Sequence, residues 1–262
     1  MNWADKEVRY KVSIITVCFN SAATIRDTIE SVLSQDYPEI EYIIVDGASR
    51  DGTLAIVNEY RNQIATVISE PDDGIYDAMN KGITVATGHV VGILNSDDFY
   101  SDNHVIKEVV KEFVESNVDS VYADLAIISR DDKRYLRYYG SGKFTIKHIR
   151  FGWMIPHPTF FVKRKYYEKF GLYRTNYRVA ADFELLARFL WRERISHKRI
   201  PKCIINMRHG GISSHGLWWR FHQNLEIVRA CRENDIRTNI FIVLLKTPFK
   251  LLEYLRPIKP QE

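Results

Sequence analysis

Three carboxylate sites in this chain fall where an apolar run gives out. Asp46 follows Glu41-Tyr-Ile-Ile-Val45, Asp72-Asp73 follow Ala65–Ser69 and Glu70-Pro71, and Asp97-Asp98 follow Val90–Leu94 and Asn95-Ser96. Short apolar runs bounded by polar residues read as buried strands, here of a parallel sheet. The carboxyl tips of such strands form the edge at which open α/β sheets bind ligands. Adjacent carboxylates such as Asp97-Asp98 repel each other unless solvent or a cation offsets the charge. Three acidic tips on one edge point to a shared crevice; the alternative is three independent turns, since Asp-Gly and Pro-Asp are ordinary turn pairs.

The elements that would position these groups alternate. Lys11–Phe19 reads as a strand, Asn20-Ser21 as an N-cap, and Ile25, Ile29, Val32 and Leu33 as the buried face of a helix stopped by Asp36-Tyr-Pro38. Asp51-Gly-Thr53 opens a second helix, Ala65–Ser69 is a third strand, and Ile75 to Ala86 is a third helix leading into Val90–Leu94. Strand–helix alternation with short links predicts βαβ units with right-handed crossovers, an α/β fold. Beyond Asp98 the pattern loosens. Helices are expected over 103–116, 181–191 and 217–234, and strands over 120–129, 134–139 and 203–207. Between them, 143–171 is aromatic and basic, and its Pro156 and Pro158 predict a shaped loop entering a short strand.

Composition excludes several classes. Hydrophobic content of 45% and charged content of 27% are those of a soluble globular chain. Cys18, Cys203 and Cys231 are odd in number and far apart, which fits neither a disulfide framework nor a zinc site and predicts buried thiols in a reducing compartment. No apolar stretch precedes the first strand, so no signal peptide is expected, and no segment approaches the ~20 apolar residues that span a bilayer. The turn after the first strand, Cys18-Phe-Asn-Ser-Ala-Ala-Thr24, lacks the Gly-x-Gly-x-x-Gly of dinucleotide-binding folds, and no P-loop is present. The net charge of +4 divides unevenly: residues 188–262 hold 15 Lys and Arg against 6 Asp and Glu, +9, which leaves −5 for residues 1–187.

Taken together, Asp46-Gly-Ala-Ser-Arg-Asp-Gly-Thr53, Glu70-Pro-Asp-Asp-Gly-Ile-Tyr-Asp-Ala-Met-Asn-Lys-Gly82 and Leu94-Asn-Ser-Asp-Asp98 resemble the family 2 glycosyltransferases, closest in character to those of bacterial polysaccharide assembly. The likeness covers about residues 11–215. It implies a GT-A fold with a Rossmann-like, mostly parallel central sheet flanked by helices, a mixed acceptor-side second half and C-terminal helices. The same likeness implies a nucleotide-diphosphate sugar donor, Mg²⁺ or Mn²⁺, and inverting transfer to a hydroxyl of a glycan or lipid-linked glycan. It further implies that Asp46 and Asp72 bind the nucleotide, with Lys81 facing either the phosphates or solvent. Asn95-Ser96-Asp97 would occupy the family's Asp-x-Asp position. Because its first place holds Asn, a weaker neutral ligand, the metal is expected on Asp97, then Asp98. Asp182, at the start of a helix in Val179-Ala-Ala-Asp-Phe-Glu184, matches the family's general base, with Glu184 as fallback. His157 is expected on the acceptor side, and Gly210-Gly211 in a loop that closes over the diphosphate.

The expected organisation is a glycosyltransferase domain over 1–235 and a basic amphipathic tail over 236–262. Within the domain, about 11–100 form the donor half and about 101–215 the acceptor half. The tail's cations, Lys246, Lys250, Arg256 and Lys259, could face anionic lipid, or its helix could pack on the protein. The chain is expected in the cytoplasm, with the inner face of the cell membrane as a further site. Rival classes are a sugar nucleotidyltransferase, which would want a basic Gly-rich loop after the first strand, and a nucleic-acid-binding module, which the acidic front half argues against. No nucleic-acid partner is expected.

Overall fold

The computed structural model describes residues 10–210 and 217–246. The chain runs β1 (Val12–Cys18), α1 (Ile25–Leu33), β2 (Ile40–Asp46), α2 (Thr53–Glu59), β3 (Thr66–Ser69), α3 (Ile75–Val85), β4 (Val90–Ile93), β5 (Asp98–Tyr100) and α4 (Val105–Ser116). It continues through β6 (Ser120–Ile128), β7 (Tyr135–Tyr139), β8 (Phe161–Lys163), α5 (Lys165–Phe170), α6 (Ala181–Leu186), β9 (His197–Arg208), α7 (Leu217–Glu233) and α8 (Ile240–Leu244). The strands form one sheet in the order β3-β2-β1-β4-β8-β6-β9-β5, with β7 on β6. Pairing is parallel through β3-β2-β1-β4 and again between β6 and β9. It is antiparallel where β8 meets β4 and β6, and where β5 meets β9. The sheet is therefore parallel in its first half and mixed beyond it, as the sequence reading expected. This α/β architecture is the GT-A fold.

Period-two alternation divides the continuous apolar runs between two cores. Ile15, Val17, Ile43, Val45, Val91 and Ile93 face α3, α6 and α7. Val12, Ile14, Tyr42, Ile44 and Val90 face α1, α2 and α4. A strand buried on both faces has no polar side, which is why these runs read as uniformly hydrophobic. Gly92 lets β4 lie beside β8: a Cβ there would come within 2.4 Å of the Phe161 ring.

Three local expectations are revised. α1 begins at Ile25, not at Asn20-Ser21, because Asn20 turns left-handed (φ 49°) and the Ser21 hydroxyl bonds Ser96 Oγ instead of capping a helix. β9 starts six residues before the expected strand; its first half carries His197, Lys198, Arg199 and Lys202, whose polarity hides it, yet it pairs in parallel with β6. The helix after Asp182 changes at Ala187 into a wider π-type turn that ends at Arg192.

α3 approaches the sheet through Gly82, where a Cβ would lie 2.4 Å from Ile15 Cγ2 and 3.3 Å from Val45 Cγ2. Alanine at an open helix position gains about 1 kcal/mol over glycine, but overpacking a β-branched neighbour costs about 1–3 kcal/mol. A 2.4 Å contact puts that cost at the upper end, so Gly82→Ala is expected to lower unfolding free energy by about 2 kcal/mol, read by chemical denaturation. An unchanged or raised midpoint would show that α3 is not held at contact distance.

Candidate active site at the carboxyl edge of the sheet

The parallel registers place Cys18, Asp46 and Ser69 side by side at one edge. Asp46 is fully buried there; Ser69 Oγ donates to it at 2.7 Å and the Ser49 N–H at 3.2 Å. The loops above it are laced together. The Asn20 N–H donates to Ser49 Oγ, the Arg50 N–H to Asn20 Oδ1, the Ser21 N–H to Thr53 Oγ1 and the Ala22 N–H to Asp51 Oδ2, all between 2.7 and 2.9 Å. Asp72 crosses over Gly47, where a Cβ would sit 2.4 Å from its Oδ2, and it accepts the Gly74 N–H at 2.9 Å. Asp46 thus forms the floor of a crevice and Asp72 part of its wall. Phe19, 63% exposed at the tip of β1, stands beside Gly47. Its signal in the sequence is a large aromatic at the end of a buried strand, where a polar residue would be expected.

At the end of β4 the chain turns sharply, the Asp98 N–H donating to the Asn95 carbonyl at 3.0 Å. Ser96, nearly buried, meets Ser21 Oγ at 2.8 Å, and Thr28 Oγ1 donates to the Asp98 carbonyl at 2.7 Å. Asp97 lies at the mouth of the turn with its side chain 26% exposed, and Arg130 Nη2 stands 4.0 Å away. Asp98 lies behind it, 1% exposed. Burial, then the charge of Asp97, pushes the Asp98 carboxyl well above the usual carboxylate range; burial also raises Asp97, partly offset by Arg130 and Arg208. Arg208, nearly buried at the end of β9, donates to the Asp97 carbonyl at 2.9 Å and ion-pairs Asp27. The sequence reading missed it, although an arginine closing the apolar run Cys203–Met207 is a visible anomaly.

The turn suits a hard cation. Asn95 Oδ1 and Asp98 Oδ1 are buried oxygens without a hydrogen-bond donor, and Asp97 adds an accessible carboxylate beside them. Oxygen donors of this kind fit Mg²⁺ or Mn²⁺. Among the described residues no cluster of three or more His, Cys, Asp or Glu side chains could hold a metal ion, so a bound ligand would have to complete the shell.

Asp182 lies half-buried in the first turn of α6, between Ala181 and Phe183, which share a core with Tyr76 and Ala78 of α3. Tyr76 Oη donates to the Val179 carbonyl at 2.8 Å and lies 3.5 Å from Asp182 Oδ1, which accepts the Phe183 N–H at 2.7 Å. Burial pushes the Asp182 pKa up to about 6, against the pull of those two donors. Glu226 of α7 fixes the approach: the Arg178, Val179 and Ala180 N–H groups donate to its carboxylate at 2.8, 2.8 and 2.9 Å. It was missed as well; its signal is that it is the only acid in the basic stretch 217–232. Glu184 is fully buried and ion-paired with Arg188 and Arg174, so it faces the core and not the crevice.

The remaining residues fall as follows. His157 is buried, 2.5 Å from Tyr173 Oη, and burial lowers its pKa to about 4; Tyr173 in turn stacks on Tyr76 at 5.8 Å. Lys81 bonds Glu70, Asp77 and the Pro71 carbonyl, tying the Glu70–Gly74 loop to α3. Gly210, at φ +99°, lies near Arg130, while Gly211 lies outside the described residues. Lys246 is turned inward instead of toward lipid, donating to the Gly152 carbonyl at 3.2 Å, because α8 packs on α7 and on 146–151. Lys250, Arg256 and Lys259 are outside the described residues.

The profile of Glycosyl transferase family 2 matches residues 13–173. The chain belongs to this family. A PGL/p-HBAD biosynthesis glycosyltransferase of Mycobacterium bovis is 30% identical over 176 residues, 66% of either chain. An uncharacterized glycosyltransferase of Mycobacterium tuberculosis is 32% identical over 180 residues, 68% of either chain. Among solved structures, Staphylococcus aureus TarS 1-349 in complex with UDP superposes with a TM-score of 0.66 at 18% identity, covering 87% of this chain and 67% of that one. The mannosyltransferase PcManGT of Pyrobaculum calidifontis, in complex with GDP-Man and Mn²⁺, gives 0.67 at 20% identity, covering 97% and 77%.

Asp182 has a pH signature. Its pKa in the fold, about 6, lies above the ~3.9 of an exposed aspartate, so the fold favours the protonated form. Below about pH 4 the group contributes nothing; between pH 4 and 6 ionisation progressively destabilises, and the loss persists above. Asp182→Asn is expected to melt higher than the natural protein at pH 8 and no higher at pH 4. Equal melting temperatures at both pH values would refute the burial argument.

Proposed function

We propose that this chain transfers a sugar from a nucleotide-diphosphate sugar to a hydroxyl of a glycan or lipid-linked glycan acceptor, with inversion at the anomeric carbon. The observation that carries this reading is Asp182, a lone carboxyl held near pKa 6, on a helix that packs against the α3 start bordering the donor crevice. A base of that pKa is ionised at neutral pH yet basic enough to take the proton of an attacking hydroxyl. Its acidic neighbours are occupied, Glu184 by arginines and Glu226 by three backbone N–H groups. Among the described residues neither of these two acidic neighbours is free to form a covalent intermediate, which favours a single displacement.

The donor would lie over Asp46, between Asp72, Phe19 and Ser96, with Lys81 holding the Asp72 loop in place. Asp97 would hold Mg²⁺ or Mn²⁺ first, with Asn95 Oδ1 and Asp98 behind it. Such an ion, when bound, offsets charge on the departing nucleoside diphosphate. The GDP-Man and Mn²⁺ carried by the mannosyltransferase PcManGT, and the UDP carried by TarS, support this reading. Residues 1–235 would form the catalytic domain, with its donor half over about 11–100 and its acceptor half over about 101–215. The tail from 236 would touch membrane, bringing the enzyme to a lipid-linked acceptor at the inner face. Among the described residues no helix is long and apolar enough to cross a membrane. Phe241, Leu244 and Leu245 are 77%, 43% and 56% exposed on one short helix, which supports surface contact. The buried free thiols of Cys18, Cys203 and Cys231 support a reducing compartment.

Titration calorimetry with UDP, GDP and dTDP, with and without Mn²⁺, tests the donor site. At least one nucleotide should bind, and Mn²⁺ should tighten it by about tenfold or more. Asp97→Asn should remove the metal-dependent part and leave the metal-free affinity. If none of the three binds, the proposal fails. For the tail, the double variant Phe241→Asp, Leu245→Asp should lose flotation with anionic liposomes; undiminished flotation would remove α8 from the membrane contact.

A further inference from the structure

A cavity of about 430 Å³ lies outside the donor crevice, lined by Asp73, Gly74, Tyr76, Asn176, Arg178 and Trp219 among others. Its size falls within the range of small-ligand sites. One wall is the first turn of α3, directly after Asp72, which lies across the donor floor at Gly47. Another is the loop that Glu226 holds in front of Asp182. The Tyr76 ring belongs to both surroundings, since it lines the cavity and its hydroxyl stands 3.5 Å from Asp182 Oδ1. The Arg178 guanidinium lies 5.6 Å from the centre of the Trp219 ring, a cation–π contact that braces the indole.

We propose that this cavity binds the acceptor as a pyranoside, its C–H face against Trp219 and its hydroxyl rim toward Asp73 and Asn176. A pyranose is apolar on its ring faces and polar around its edge, and an aromatic ring flanked by a carboxylate and an amide matches both. Position selects the acceptor over the donor sugar. A nucleophilic hydroxyl must come within about 2.6–3.2 Å of its base; Asp182 does not itself line the cavity, but Tyr76, which does, stands 3.5 Å from Asp182 Oδ1. The inference rests on the transferase reading above and adds the class of group that accepts the sugar.

Saturation-transfer NMR with methyl pyranosides of glucose, galactose, mannose, rhamnose and N-acetylglucosamine tests it, on protein loaded with diamagnetic Mg²⁺ and the nucleoside diphosphate it binds. At least one pyranoside should receive saturation, strongest at its ring C–H protons. Trp219→Ala should weaken that binding about tenfold or more, Trp219→Phe less, and Asn176→Ala, at another lining residue, should weaken it independently. Nucleotide affinity should stay within about twofold in all three variants. Unchanged pyranoside binding in both Trp219→Ala and Asn176→Ala overturns the inference. So does the absence of any pyranoside signal on protein that binds its nucleotide. If Trp219→Ala weakens the nucleotide sugar but not the bare nucleotide, the cavity belongs to the donor sugar and the acceptor assignment is wrong. Natural protein that binds no nucleotide removes the transferase reading, and the inference falls with it.

Discussion

Between Ile93 and Asp98 the chain leaves the fourth strand of the sheet and joins its far edge, β5, four strand positions away. In a flat sheet four spacings amount to about 19 Å, while five residue steps reach at most about 18 Å when fully extended. Here the steps are not extended, because Asn95 to Asp98 close a turn, and turns bring their ends within about 7 Å. The sheet therefore has to roll until its second half stands beside the carboxyl edge of its first. That one connection sets Arg208, at the end of β9, against the Asp97 carbonyl.

The electrostatics follow from this closure. Two adjacent carboxylates are pressed into a turn that also buries Asn95 and Ser96, and the sheet supplies only part of the compensating charge, through Arg208 and Arg130. Burial and the neighbouring Asp97 charge push the Asp98 carboxyl well above the usual carboxylate range. Asp97 remains the accessible charge. Across the crevice a different device acts on Asp182: burial raises its pKa, while Glu226 spends its charge on three backbone N–H groups and fixes the loop in front of α6. One face of the site is thus suited to a cation and the other to a proton.

The first half of the fold was legible because its strands are buried on both faces and its links are short. Continuous runs such as Val90–Leu94 and helical spacing such as Ile25, Ile29 and Val32 leave few alternatives. The second half was not, for identifiable reasons. The early part of β9 is charged, α5 lies in an aromatic, basic stretch, and β5 is only three residues long. Asp46, Asp72 and Asp97 could be found at strand tips, and Asp182 through the family resemblance. Arg208 and Glu226 could not, since each acts on main-chain groups that only the folded chain brings near. Periodicity could not tell that His157 would lie under Tyr173 or that Lys246 would turn inward to Gly152.

The central claim is that Asp182 serves a single displacement with no covalent intermediate. The anomeric configuration of the product tests it most directly. Proton NMR of the newly formed glycoside, made from an α-configured nucleotide sugar, should show only the β-linked product. An α-linked product would mean retention, and with it a mechanism in which Asp182 is not the sole base of one in-line step.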